Sequence, residues 1–197
     1  MSLVLINLEG IDGCGKSTQS QFLMDKFESD NEKIVLLKEP TNGKYGQKLW
    51  EMLSGKIEAT TEEILELFVL DRREHVNQKI QPALDEGKIV LMDRYYYSTM
   101  AYQAAAGIDV NRIRKDNEFA PKPDIVLIFD LPADLAMKRV RSHSVADVFE
   151  KEEYLERVRK AYLNLEGDSL VRIIDATRTP EKIFDEVWKL VSEVRNG

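Results

Sequence analysis

Gly10-Ile11-Asp12-Gly13-Cys14-Gly15-Lys16-Ser17 follows the apolar run Leu3-Val4-Leu5-Ile6. It completes the pattern GxxxxGK[ST] between a predicted strand and a predicted helix. Glycines let the backbone curl so that successive N–H groups point at phosphate oxygens. A helix starting near Lys16 adds the positive end of its dipole. Lys16 can reach the outer phosphates of a polyphosphate, and the Ser17 hydroxyl can ligate Mg²⁺. The plainer reading is a glycine-rich turn that only joins strand to helix. The strand before and the helix after favour the phosphate loop. Cys14 fills a position that needs a small residue.

The 197 residues fit a single domain, 1–197, with enough length for a substantial core. Hydrophobic content of 43% and charged content of 32% suit a globular chain. A net charge of −7 and a pI of about 5.1 argue against nucleic acid as a partner. Phosphate chemistry then needs a local basic pocket. One cysteine excludes an internal disulfide and fits a reducing cytoplasm. No apolar stretch is long enough to span a bilayer and no signal peptide is read, so a cytoplasmic protein without a membrane partner is expected.

Five apolar runs predict strands: Leu3–Leu8, Lys33–Leu37, Ile89–Met92, Ile125–Phe129 and Val171–Ile174. They are continuous rather than alternating, as in parallel strands buried on both faces. Helical patterns separate them at Lys16–Glu28, Thr61–Glu86, Ala133–Arg141, Lys151–Leu165 and Pro180–Val194. Thr60 and Glu63 are spaced as a capping box, and Pro180 suits a first helical position. Such alternation implies an α/β fold with a five-stranded parallel sheet flanked by helices in three layers. Ligands of such sheets bind beyond the carboxyl ends of the strands. The polar stretch 140–150 reads as a flexible lid.

The predicted strand ends carry further chemistry. The third leads into Asp93-Arg94-Tyr95-Tyr96-Tyr97-Ser98. Asp93 can hold Mg²⁺ and Arg94 can fork onto a phosphate, or the two can simply staple the strand end. The second leads into Glu39-Pro40-Thr41, where Pro40 fixes a turn. On the long helix Phe68, Arg72 and His75 share a face. An aromatic beside a guanidinium can stack on a base and bond its carbonyl. Periodicity alone reads Phe68 as core and the charges as solvated.

Gly10–Thr18 with Asp12, then Glu39-Pro40-Thr41, Phe68-x-Leu-Asp-Arg72-x-x-His75 and Asp93-Arg94-Tyr95-x-x-Ser98-x-x-Ala101-Tyr102-Gln103, together resemble the thymidylate kinase family. The order and spacing match over most of the chain. The resemblance implies a P-loop NTPase core, transfer of the γ-phosphoryl of ATP to dTMP with Mg²⁺, and a homodimer. It implies that Gly10, Asp12, Gly13, Cys14, Gly15, Lys16, Ser17 and Thr18 hold ATP. Arg139 would pack on adenine, with Ala176 and Thr177 bordering it. On the acceptor side, Phe68 would stack on thymine, Arg72 meet a thymine carbonyl and Gln103 read the base edge. Arg94 would hold the dTMP phosphate with Ser98 against it, and Asp12 would accept from the 3′-hydroxyl. Tyr102 would crowd the 2′ position. Glu39 and Pro40 count with this acceptor set, Ser17 and Asp93 with the metal.

The family often carries Asp-Arg-Phe-Glu in the lid, where this chain has Asp147-Val148-Phe149-Glu150. Some cation must still neutralise the transferring phosphoryl. Arg141 is the nearest candidate and Arg139 the second; with Lys16, Arg94 and Asp93, Arg141 makes up the expected catalytic set. The nearest alternative function is the same chemistry on another nucleotide or a deoxynucleoside. A GTP-binding switch would need a guanine-reading Asn-Lys-x-Asp, which the sequence lacks.

Overall fold

The apolar runs form strands β1 (Leu5–Glu9), β2 (Ile34–Lys38), β3 (Ile89–Asp93), β4 (Ile125–Asp130) and β5 (Val171–Asp175). All pair in parallel, in the order β2-β3-β1-β4-β5. This computed structural model describes residues 4–139 and 145–196, with only the backbone described for 145–151 and 196. The central strands β1, β3 and β4 are buried almost throughout, as their mostly apolar content requires, with Asn7 a buried polar exception within β1. The edge strands differ from the expected two-sided burial: β2 and β5 are partly exposed, each with a single covered flank in the sheet.

Each strand runs one residue beyond its apolar stretch and ends on a charge: Glu9, Lys38, Asp93, Asp130 or Asp175. The register pairs Leu8 and Lys38 with Asp93, so these ends lie level at one rim of the sheet. The winding reverses between β3 and β4, which flank β1, and a crevice opens there at the carboxyl end of β1. The glycine-rich loop leaves from that point.

Helix α1 (Lys16–Ser29) and helix α9 (Pro180–Asn196) pack together. Phe22 meets Phe184 at 5.4 Å and Phe27 meets Trp188 at 5.2 Å, both edge-on. Such pairs add about 0.5–1.5 kcal/mol each beyond area burial. Helix α3 (Thr61–His75) begins with the expected capping box, in which Thr60 Oγ1 accepts from Glu63 N while Glu63 accepts from Thr60 N. The long helix expected over 61–86 is not regular. A π-turn at Val76–Ile80 separates α3 from α4 (Gln81–Asp85). Pro82 has no N–H to give the carbonyl four residues back, and its ring crowds that carbonyl; the wider turn relieves both.

Three helices are not among those expected: α2 (Lys44–Leu53), α5 (Tyr96–Ala105) and α6 (Val110–Asp116). Helix α5 is buried on most sides, so it has no polar stripe to reveal a helical period. Helix α7 (Ala133–Arg139) falls where expected up to the end of the described stretch. Helix α8 spans Val145–Leu163 and so begins six residues before the expected Lys151. The backbone at 145–150 is therefore helical rather than part of a loop, and 140–144 lie outside the described residues.

Candidate active site

The loop after β1 is shaped by its glycines. Gly10 sits at φ 133°, and a Cβ there would come within 2.7 Å of Phe129 O and 2.8 Å of Cys14 Sγ. No larger residue fits between loop and β4. Gly15, at φ 105°, caps α1. Lys16 folds back into the loop, its Nζ 2.9 Å from Gly10 O, 3.1 Å from Ile11 O and 3.6 Å from Cys14 Sγ. Burial, and then the nearby Arg94 charge, hold this ammonium below the ordinary lysine range. Ser17 and Thr18 are exposed on the first turn of α1, and Cys14 is buried.

Arg94 is the hub of the neighbouring strand end. Its φ is 71°, a left-handed conformation costly for a non-glycine residue, and its N–H bonds Leu8 O at 3.0 Å. That backbone turn aims the side chain back over the loop. Arg94 Nη2 bonds Asp12 Oδ1 at 2.7 Å and lies 3.4 Å from Tyr102 OH; Nη1 bonds Ser98 Oγ at 3.0 Å. Asp93 is buried, with Oδ2 3.3 Å from Lys38 Nζ. Its Oδ1 has no hydrogen-bond partner among the described residues.

Beneath Arg94 lies Glu9, which sequence reasoning passed over. It is fully buried and accepts from Tyr95 N at 2.8 Å, Ser98 Oγ at 2.5 Å and Tyr162 OH at 2.8 Å. Burial outweighs Arg94 and these donors, and the carboxyl titrates above the ordinary glutamate range. The visible signal was a charge directly before Gly10, at the end of a run that is apolar but for Asn7. Tyr162, from α8, also lies 2.9 Å from Ser98 Oγ. Arg159 on the same helix forks onto Asp130, with Nε 2.5 Å from Oδ1 and Nη2 3.0 Å from Oδ2. Two polar anchors thus tie α8 to the ends of β1 and β4.

A second cluster surrounds Arg72. The Glu39–Pro40 peptide is cis, and the turn is held by Asp71, whose carboxylate accepts from Thr41 N at 2.8 Å and Thr41 Oγ1 at 2.6 Å. A Cβ on Gly46 would lie 2.0 Å from Thr41 O, so only glycine lets α2 rest on this turn. Glu39 Oε2 accepts from Arg72 Nε at 2.8 Å, and Oε1 lies 3.1 Å from His75 Nδ1. Arg72 is only 1% exposed. Phe68, one turn earlier, is half-buried and is not among the core residues or those packed on them. The structure thus departs from the periodicity reading, which made Phe68 core and Arg72 solvated. Gln103 is buried on α5. Tyr102 lies edge-on to Tyr154 and Tyr162, and Arg94 sits 5.3 Å over its ring. Burial, ahead of all else, pushes the Tyr102 hydroxyl up to about 12.

On the other side of the loop is a cavity of about 290 Å³ lined by Gly13, Gly15, Thr18, Gln19, Arg139 and Arg178. Arg139 spans it, reaching Gly13 O at 3.4 Å and Ala176 O at 3.3 Å. Thr177 is fixed beside it by Asp175, which accepts from Thr177 N at 3.0 Å and Thr177 Oγ1 at 2.6 Å. Larger hollows of 630 and 700 Å³ lie between α7 and α8 and along the β2 edge, away from the loop. The loop itself needs no deep cavity, since its ligand groups are backbone N–H donors at a surface.

Arg141 lies outside the described residues, and Val148 is described in backbone only. The other candidates gather at one rim in three groups: the loop with Arg139, the Arg94 hub with Asp12, Ser98 and Tyr102, and the Arg72 cluster with Glu39 and His75. Besides Glu9, sequence reasoning missed Lys38, Thr99, Asn117 and Tyr162. None belongs to a motif, and each is visible only through its contacts.

The profile of the thymidylate kinase family matches residues 8–187. A probable thymidylate kinase of Archaeoglobus fulgidus is 40% identical over 194 residues, covering 98% of this chain and 97% of that one. A thymidylate kinase of Desulfotalea psychrophila is 41% identical over 192 residues, with 96% and 95% covered. One of Xanthomonas oryzae pv. oryzae is 38% identical over 190 residues, with 95% and 82% covered.

Proposed function

The chain belongs to the thymidylate kinase family, and from that premise we propose that it transfers the γ-phosphoryl of ATP to dTMP, giving dTDP and ADP. One observation carries the reading. Arg94 stands 2.7 Å from Asp12, a residue of the phosphate loop, so a cation for an acceptor phosphate borders the donor site. Two phosphates held side by side, one on each, are in position for transfer.

The roles follow from the contacts. Loop N–H groups and Lys16 hold the donor phosphates, with Lys16 giving up the Gly10 and Ile11 carbonyls to do so. Arg139, Ala176 and Thr177 border the donor base. Arg94 and Ser98 hold the dTMP phosphate, and Asp12 accepts from the sugar hydroxyl. Phe68 stacks on the base, Arg72 and Gln103 read its edge in the turn built by Glu39 and Pro40, and Tyr102 refuses a 2′-hydroxyl. The Ser17 hydroxyl and the Oδ1 of Asp93, which has no partner among the described residues, fit Mg²⁺, which takes one or two protein oxygens beside phosphate. When bound, the ion neutralises charge on the phosphates. Arg141 supplies the lid cation, in a single domain whose lid centres on 140–150.

The protein acts as a homodimer in the cytoplasm, where soluble nucleotides are its substrates. Trp50, Leu53, Ile57 and Leu70 are exposed on or beside α2 and α3, with Leu36 on the neighbouring β2 edge, and they supply an apolar face for a second copy. ADP release measured with dTMP, dUMP, UMP and dCMP as acceptors tests the function. We expect dTMP to lead. Preference for another acceptor, or turnover with none, overturns it.

A further inference from the structure

We propose that Thr99 and Asn117 are positioning residues that clamp Arg72 and thereby set the preference for a 4-carbonyl pyrimidine over a 4-amino one. The inference rests on the reading that Arg72 meets the base.

A guanidinium has five N–H donors in one plane. In Arg72, Nε donates to Glu39 Oε2 at 2.8 Å, Nη2 to Thr99 Oγ1 at 3.1 Å and Nη1 to Asn117 Oδ1 at 2.5 Å. Nη2 also lies 2.7 Å from Glu39 Oε2. One Nη1 hydrogen is left uncommitted among the described residues. Three segments beside α3 supply these acceptors: the residue after β2, helix α5 and the residue capping α6. Each acceptor is itself fixed. Asn117 Nδ2 donates to Ile113 O at 2.7 Å, which decides which end of the amide faces Arg72. Glu39 is steadied through Oε1 by His75. All of these side chains are buried.

The clamp matters more for rejection than for attraction. A 4-carbonyl accepts the spare hydrogen. A 4-amino group presents a donor to a donor, and the mismatch is costly only if the arginine cannot turn away. Glu39 alone would hold one edge and leave the guanidinium free to tilt. Bonds to Nη1 and Nη2 from opposite elements remove that freedom. A buried arginine held at three nitrogens cannot withdraw without stranding a charge.

The test compares kcat/KM for dTMP and dCMP, with KM for ATP and the melting temperature as controls. Thr99→Val is isosteric and keeps the packing, whereas Asn117→Leu removes the acceptor at similar volume. Each should lower the dTMP-to-dCMP ratio by about tenfold or more, the scale of one hydrogen bond to a charged group. KM for ATP should stay within about twofold, because donor contacts are untouched. Thr99→Ser, which retains the hydroxyl oxygen facing Arg72, should keep the ratio. If Asn117→Leu does not fold, Thr99→Val decides alone. Arg72→Lys is the arm that separates the two levels. A ratio that collapses in Arg72→Lys but holds in folded Thr99→Val and Asn117→Leu overturns the clamp only. A ratio unchanged in all three overturns the reading of Arg72 as well.

Discussion

Asp12 and Arg94 form an ion pair of 2.7 Å between the phosphate loop and the turn after β3. Asp12 is largely exposed, so solvent screens the pair and it adds little to stability. It is a contact that can be exchanged at low cost. An arriving phosphate can take Arg94, while the carboxylate turns to a sugar hydroxyl.

Replacing Lys16 with Ala should leave the fold intact and lower kcat by about 10²–10³, the loss seen when one preorganised charge-stabilising contact is removed. Steady-state rates beside a thermal melt check this. Turnover near the wild-type rate in a folded variant would remove Lys16 from the phosphates.

Arg94→Ala should weaken dTMP binding by about 1.5–3 kcal/mol, the worth of a charge-assisted bond to phosphate, and leave ATP nearly unaffected. Calorimetric titration with each ligand separates the two. Equal losses for both, or a loss for ATP alone, would put Arg94 on the wrong substrate.

Shrinking Tyr102 to Ala opens the space its ring fills between Arg94 and Tyr154. The ratio of kcat/KM for a ribose acceptor over its deoxyribose counterpart should rise. Because Arg94 rests on that ring, KM for both acceptors should rise as well. An unchanged ratio disposes of the exclusion role.

The lid cation is tested by Arg141→Ala. If Arg141 approaches the phosphoryl group only in the transition state, kcat falls while both KM values hold. Val148→Arg, restoring the residue common in the family, should recover part of the loss. If Arg139→Ala lowers kcat and Arg141→Ala does not, the role passes to Arg139.

Glu9 gives a pH prediction. Its carboxyl titrates higher in the folded chain than in the unfolded one, because of burial. The folded chain therefore keeps a proton that the unfolded chain has lost, and stability falls as pH rises above the ordinary glutamate range. Glu9→Gln removes that dependence. Melting temperatures of wild type and variant, followed from about pH 5 to pH 8, should converge or cross as pH rises. Parallel curves would show that Glu9 is ionised in the fold as readily as in the unfolded chain.

The sheet was legible because β1, β3 and β4 are buried and, but for Asn7 and their charged last residues, apolar. The same criterion stopped each strand one residue short, at Leu8, Leu37, Met92, Phe129 and Ile174, and so missed that the strands themselves carry the charged ends. The phosphate loop and the Asp93-Arg94 turn were readable because both are local in sequence. Arg72 was legible as a residue but not in its setting. Its acceptors come from Glu39, Thr99 and Asn117, between 27 and 45 positions away, and no period or motif links them. Helix α5 stayed hidden because a helix wrapped by protein shows no amphipathic stripe.

Cys14, 1% exposed, is the only thiol in the sequence and it lies inside the phosphate loop, packed beneath Gly10. A thiol reagent can reach it only when the loop opens. Where closing outpaces the reaction, the rate of modification therefore follows the fraction of open loop in the unaltered protein, with no engineered residue. Nucleotide on the loop should slow the modification, so donor-site occupancy is readable by mass even for ligands that are never turned over.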